Sequence, residues 1–276
     1  MQDKSVREAL SRSGFSFKKQ YGQNFITDEG LLDEIVEDSG ICGGLAVEIG
    51  CGAGTLTRSI AKKADKVLAF EIDKTLQPVL SVTLAGVENC EVIFRDFMRV
   101  NMAEFEKDLP GYCVVANLPY YITTPLVMKF MEHSKKCLSL TVMVQEEVAR
   151  RFCAEAGTPD YGAITAAIAL RGRCKITKYV PRTCFYPQPN VDSAVVKIDI
   201  TEGNIKANDE ELYKKVVKAA FSSRRKTLEN NLMQAFGVSR GKATEWIAAL
   251  GEDGKIRGEE LSPEKFAALS DIIGKN

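Results

Sequence analysis

The sequence predicts an α/β fold, an open sheet followed by a small all-helical domain, and three observations carry that prediction. Short β-branched apolar runs alternate with helix-period segments between residues 29 and 200. A glycine-rich turn, Gly50-Cys51-Gly52-Ala53-Gly54, follows the first of those runs and opens a helix. Past residue 202 the pattern becomes purely helical. The expected division is therefore 1–202, a sheet domain with an N-terminal arm, and 203–276, a helical domain.

Composition bounds the rest. A chain of 276 residues can bury a sizeable core, and no apolar run approaches the ~18 residues needed to span a bilayer. The first residues, Met1 to Arg7, lack the apolar stretch and cleavage pattern of a secretory signal, so the expected location is the cytoplasm. Eight cysteines are scattered without a C-x-x-C pair and mostly lie in or beside apolar runs. They read as buried thiols in a reducing compartment, with neither a disulfide framework nor a metal site. Formal net charge is zero, 37 basic against 37 acidic residues, so a polyanion site has to be a local patch. Lys18-Lys19 and the span 214–226, which ends in Arg224-Arg225-Lys226, are the two candidates.

In chain order, residues 1–14 read as a loose or helical basic arm, and 15–25 as an aromatic-rich, amide-rich segment that folds over something. Thr27-Asp28-Glu29 begins a helix with one apolar face (Leu31, Leu32, Ile35, Val36), and Gly40 stops it. Strands are expected over 45–49, 67–70, 92–94, 114–115, 138–145, 174–180 and 193–200, with helices over 145–152 and 163–170. Between the last two strands, spaced prolines stiffen 183–193 and hold Phe185 and Tyr186 in one orientation. After a linker at 201–204, Asn208 with Glu211 makes a capping-box-like start to the first of four helices. The last begins at Pro263 after Ser262, Trp246 belongs to the helical core, and His133 is a surface residue.

In open α/β sheets, ligands bind beyond the carboxyl ends of the strands, and those ends carry the chemistry here. The second strand ends in Glu71, a carboxylate placed to accept two ribose hydroxyls; the third is followed by Asp96, placed to accept from an adenine amino group. The fourth ends in Asn117-Leu118-Pro119-Tyr120. Pro119 fixes its own φ and drives Leu118 to extended backbone, which rigidly presents the Leu118 carbonyl and the Asn117 amide oxygen. Two acceptors beside a flat ring suit an exocyclic amine on a planar base, with Tyr120 stacked on it.

The glycine turn preceded by Glu48 is similar to the first motif of S-adenosylmethionine-dependent methyltransferases, while Thr55 breaks the dinucleotide pattern G-x-G-x-x-G. Together with Gln23-Asn24-Phe25, Asn117-Leu118-Pro119-Tyr120, the 185–193 loop and Phe221 to Leu228, it resembles the bacterial small-subunit rRNA adenine N6,N6-dimethyltransferases, the kasugamycin-sensitivity methyltransferases. The resemblance runs from about residue 15 to the C-terminus. It implies a Rossmann-like, seven-stranded, mostly parallel methyltransferase sheet and the helical domain after it. It also implies S-adenosylmethionine as cofactor and two adjacent adenosines in the 3′-terminal hairpin loop of 16S rRNA as substrate.

By position it puts Gln23, Asn24, Ile26, Glu48, Gly50, Gly52, Gly54, Glu71, Ile72, Asp96, Phe97 and Asn117 at the cofactor. Asn117, Leu118, Pro119, Tyr120 and Phe185 fall at the target base, and Lys18, Lys19, Arg224, Arg225 and Lys226 at RNA. The partner implied is 16S rRNA in the small subunit or its precursor, met by a monomer without metal. Three other readings stay open: the erythromycin-resistance methyltransferases that modify 23S rRNA, an assembly factor acting by occupancy, and a nicotinamide oxidoreductase.

Overall fold

Strand β2 (Leu45–Ile49) is buried along its whole length, as expected of a strand covered on both faces. In this computed structural model, which describes residues 8, 17–18, 22–26, 28–200 and 205–275, β2 lies third in a seven-stranded sheet, beside the central strand. The expected basic arm (save Glu8), Lys19, Thr27 and the linker at 201–204 lie outside the described residues.

The order across the sheet is β4 (Cys90–Phe94), β3 (Lys66–Glu71), β2, β5 (Tyr112–Asn117), β6 (Cys137–Gln145), β9 (Ser193–Ile200), β7 (Gly172–Val180). The first five are parallel, and register sets Val47 beside both Leu68 and Val114. Strand β9 runs antiparallel to β6, pairing Val196 with Val142. The order reverses at β2, so a crevice opens where β2, β3 and β5 end side by side. A second, two-stranded ribbon joins β1 (Phe25–Ile26) to β8 (Phe185–Tyr186), with Ile26 opposite Phe185.

Helix α1 (Glu29–Ser39) is capped by Asp28, whose carboxylate accepts from the Gly30 and Leu31 amides, and it ends at Gly40 with φ +74°. Its buried residues Leu32, Ile35 and Val36 join a core cluster with β-strand residues Ala46, Val67 and Val115. Helices α2 (Thr55–Ala61), α3 (Gln77–Thr83), α4 (Met102–Glu106) and α5 (Thr123–His133) follow successive strands. Next come α6 (Glu146–Phe152) and α7 (Ala163–Arg171), then α8 (Glu210–Ala220), α9 (Leu228–Phe236), α10 (Arg240–Ala249) and α11 (Pro263–Gly274). The cap of α8 is Asp209, accepting from the Leu212 amide, one residue after the Asn208 that the sequence suggested.

By packing, the chain falls into two compact units: Met1–Ala149 with Lys175–Ile200, and Arg150–Cys174 with Thr201–Asn276. A single cut at 202 leaves Arg150–Cys174 on the wrong side of this division. Two buried tyrosines explain it: Tyr161 donates to the Leu261 carbonyl and Tyr213 to the Ala166 carbonyl, both at 2.9 Å, inside one core that also holds Trp246 and Phe266. The cysteine expectation is also corrected. All eight are free thiols, yet only Cys51 and Cys137 are buried, and Cys42 is exposed.

Candidate active site

The carboxyl ends of β2, β3 and β5 open into a cavity of about 180 Å³, roofed by residues 22–26 and Phe185. At its glycine turn, Gly50 has φ +77° and Gly52 φ +56°, the left-handed region that L side chains rarely adopt. At Gly52 room is limiting as well, because a Cβ there would lie 2.6 Å from the Phe25 ring, whereas one at Gly50 would meet nothing nearer than 3.9 Å. The turn is held from below by the Glu71 carboxylate, which accepts from the Gly52 amide at 2.8 Å and from the Asp73 amide at 2.7 Å. Burial raises the Glu71 carboxyl above its ordinary value, opposed by those same amides.

Glu48, on β2 beneath the turn, accepts from the Thr57 hydroxyl at 2.5 Å. Burial pushes its pKa up to about 8, with the Thr57 bond opposing and repulsion from Glu71 adding. At neutral pH it is mostly a neutral acid. Cys51 is a buried thiol whose pKa burial and neighbouring carboxylates drive well above 9.0, so it is a packing residue and no nucleophile.

Past β4, Asp96 caps a single turn by accepting from the Met98 amide at 2.9 Å, and its other oxygen lies 3.4 Å from Arg99. Phe97 in that turn is buried and stacks on Phe130 of α5, ring centres 5.5 Å apart. Lys129 of the same helix donates to the Met98 and Val100 carbonyls, at 2.8 and 2.6 Å, which fastens the turn from outside.

At the end of β5, the Asn117 side-chain amide donates to the Asn24 carbonyl at 3.0 Å. That bond fixes the side chain and turns Oδ1, the acceptor, away from Asn24. Leu118 is buried, the Pro119 carbonyl accepts from the Ile122 amide at 3.1 Å, and the Tyr120 hydroxyl lies 3.2 Å from Ser193 Oγ. Carboxylates at two strand ends, a Cβ-free turn and an aimed amide together fit an adenosyl ligand with a second, planar group beyond it.

The family model for ribosomal RNA adenine dimethylase matches residues 14–274. The chain belongs to that family. Among its relatives, the ribosomal RNA small subunit methyltransferase A of Geobacillus thermodenitrificans is 42% identical over 97% of this chain and 94% of that protein. The protein of the same name from Clostridioides difficile is 42% identical, over 98% and 95%. Among solved structures, a dimethyladenosine transferase from Plasmodium falciparum has the same fold (TM-score 0.73, 24% identity, 89% of this chain and 95% of that one). The 23S rRNA methyltransferase ErmE superposes with TM-score 0.71 at 25% identity, over 91% and 99%.

In this dimethylase, Asn24, Ile26, Glu48, Gly50, Gly52, Glu71, Ile72, Asp96, Phe97, Asn117, Leu118, Pro119, Tyr120 and Phe185 all line the one cavity. Three residues sit differently from the expectation. Gly54 is not among the lining residues; it starts α2 with φ +80°, and a Cβ there would press on Leu80, Thr83 and Leu84. The Gln23 side chain turns to Asp73 and to the Lys18 amide, although the residue lines the cavity. Lys18, expected at RNA, pairs with buried Asp73 at 2.7 Å. Lys19 lies outside the described residues.

Arg224, Arg225 and Lys226 are exposed in the turn between α8 and α9, with Arg224 donating to the Tyr161 carbonyl and Lys226 to Gln234. Sequence reasoning missed Arg95, Met98 and Leu126 in the lining and Lys129 and Ser193 behind it. Arg95 was within reach, being next to Asp96; Lys129 and Ser193 act across the fold and carry no local signal.

Proposed function

We propose that this chain dimethylates N6 of two adjacent adenosines in the 3′-terminal hairpin loop of 16S rRNA, using S-adenosylmethionine, during assembly of the small ribosomal subunit. The observation that carries this reading is Asn117: its amide is tied to the Asn24 carbonyl, inside one cavity with Glu71, Asp96 and Tyr120.

When bound, S-adenosylmethionine supplies a methyl group already activated by a sulfonium. What remains for the protein is placement, because an adenine N6 lone pair is delocalised into its ring and is a poor nucleophile. Asn117 Oδ1 and the Leu118 carbonyl accept the N6 hydrogens, two before the first transfer and one before the second, which favours a pyramidal nitrogen and aims its lone pair; the proton that N6 gives up at each transfer passes to water. Such alignment contributes on the order of several kcal/mol. Tyr120 and Phe185 hold the extracted base by stacking, about 1–3 kcal/mol per contact. Glu71 would hold the ribose hydroxyls, Asp96 would accept from the adenine amino group, and Asn24 with Ile26 would hold the methionine end.

Arg224, Arg225 and Lys226 contact the RNA backbone. With no net charge on the chain, a shaped subunit surface supplies the rest of the affinity. The enzyme acts as a cytoplasmic monomer without metal. Among the described residues, no helix is long and apolar enough to cross a membrane.

The test is transfer of labelled methyl to small subunits from a strain lacking this modification, with large subunits in parallel. Label in small-subunit RNA alone is the expected result. Label only in 23S rRNA would move the chain to the resistance methyltransferases, and binding without label would favour an assembly role.

A further inference from the structure

Asp73 stands two residues past the end of β3, outside the cavity lining, and its side chain is 2% exposed. Four donors meet its carboxylate. Lys18 Nζ at 2.7 Å, the Thr75 amide at 3.1 Å and the Thr75 hydroxyl at 2.6 Å reach Oδ1, and Gln23 Nε2 at 3.0 Å reaches Oδ2. The Gln23 side-chain carbonyl also accepts from the Lys18 amide at 2.8 Å, which locks the two together. From Gln23 the chain continues into Asn24, whose carbonyl holds Asn117, and into β1, which pairs with β8 at Phe185.

A solvent-exposed ion pair would add little here. This carboxylate is buried, and stripping it of its partners leaves an unmatched buried charge, so the segment from 22 to 26 is favoured closed wherever Asp73 is ionised. The hydrogen bonds from Lys18, Thr75 and Gln23 outweigh burial and hold its pKa below the ordinary 3.8, so it is ionised at neutral pH.

We propose that Asp73 is a positioning residue for methyl transfer: it clasps the 22–26 segment over the cavity through Lys18 and Gln23, and so sets the Asn24 carbonyl that aims Asn117. The proposal rests on the cavity being the methyl-transfer site. A bland alternative is that Asp73 only caps the turn at Lys74–Leu76. Asparagine caps as well as aspartate, so Asp73→Asn keeps the turn and removes the ion pair.

The experiment is amide hydrogen exchange on the full chain without ligand, for wild type, Asp73→Asn, Lys18→Met and the double variant, followed by calorimetric titration with S-adenosylmethionine. Exchange over 22–26 is expected to rise about tenfold in each single variant, with no further rise in the double and none over 74–76. The cofactor Kd is expected to weaken about tenfold in step, because the loosened segment lines its cavity. Wild-type exchange in Lys18→Met, or additive effects in the double variant, would overturn the clasp. Absence of cofactor binding by wild type would instead overturn the methyl-transfer reading, while the exchange data still decide the clasp.

Discussion

The Asn117 side-chain amide donates to the Asn24 carbonyl across 93 residues of sequence, at 3.0 Å. One strand end and one N-terminal segment thus share a hydrogen bond, and Asn117 Oδ1 is the atom that the proposed reaction uses as acceptor for the target amine. Asn117→Asp sets a carboxylate against the Asn24 carbonyl, and Asn117→Ala removes the acceptor. Both are expected to lower kcat by about 10²-fold or more, the scale of losing one aimed polar group at a reacting centre. Steady-state kinetics on small subunits check this; turnover within threefold of wild type would remove Asn117 from the chemistry.

Glu71 and Tyr120 are expected to separate binding from turnover. Glu71→Ala deletes the proposed acceptor for ribose and releases the Gly52 and Asp73 amides, so cofactor Kd is expected to rise by at least about tenfold. Tyr120→Ala removes the ring proposed to stack on the base and is expected to lower kcat with little change in cofactor Kd. Calorimetry beside kinetics decides between them, and equal loss of cofactor affinity in both would contradict the division of roles. Ser193→Ala and Tyr120→Phe each remove one side of the same 3.2 Å contact and should match each other at a milder loss of kcat.

Gly50 and Gly52 require glycine for different reasons. Gly50→Ala meets only the Pro119 ring, at an ordinary contact distance of 3.9 Å, and costs about 1–2 kcal/mol from its left-handed φ. Gly52→Ala pays the same backbone cost and also drives into the Phe25 ring, which belongs to β1. The larger drop in Tm is therefore expected for Gly52→Ala, together with faster exchange over 22–26. Equal Tm losses would mean the aromatic ring gives way freely.

The Glu48 acid sets a pH dependence. Its folded pKa of about 8 stands above the ordinary 4.5, so between those values the folded chain binds the extra proton. Its stabilising contribution is full below pH 4.5, falls as pH rises, and is lost above pH 8, at about 1.4 kcal/mol per pH unit in between. Glu48→Gln keeps an acceptor for Thr57 and removes the titration. Denaturation of the ligand-free proteins at several pH values should show wild type losing stability relative to the variant between pH 5 and 8. Parallel curves would mean that Glu48 is ionised throughout.

Much of this was legible in the sequence because it is local. A strand run broken only by Glu48 and ending in glycines, acids at the ends of β3 and after β4, and the Asn-Leu-Pro-Tyr turn each announce themselves within a few residues. What stayed hidden was carried by distance. Strands β1 and β8 have two residues each, too short for any alternating pattern, and Lys18 finds Asp73 at a separation of 55 residues. Residues 150–174 read as a continuation of the sheet domain until Tyr161 and Tyr213 are seen to tie them to the helical core. At 208 and 209, Asn and Asp cap equally well, so propensity could not choose.

The proposed reaction requires the end of β5 to hold an adenine N6 for two successive transfers. Nucleoside mass spectrometry of small-subunit RNA, after incubation with wild type or with Asn117→Ala shown to bind S-adenosylmethionine, tests it most directly. N6,N6-dimethyladenosine at two adjacent positions is expected with wild type and unmodified adenosine with the variant. Monomethyl product alone from wild type, or dimethyladenosine at the wild-type rate from Asn117→Ala, would contradict it.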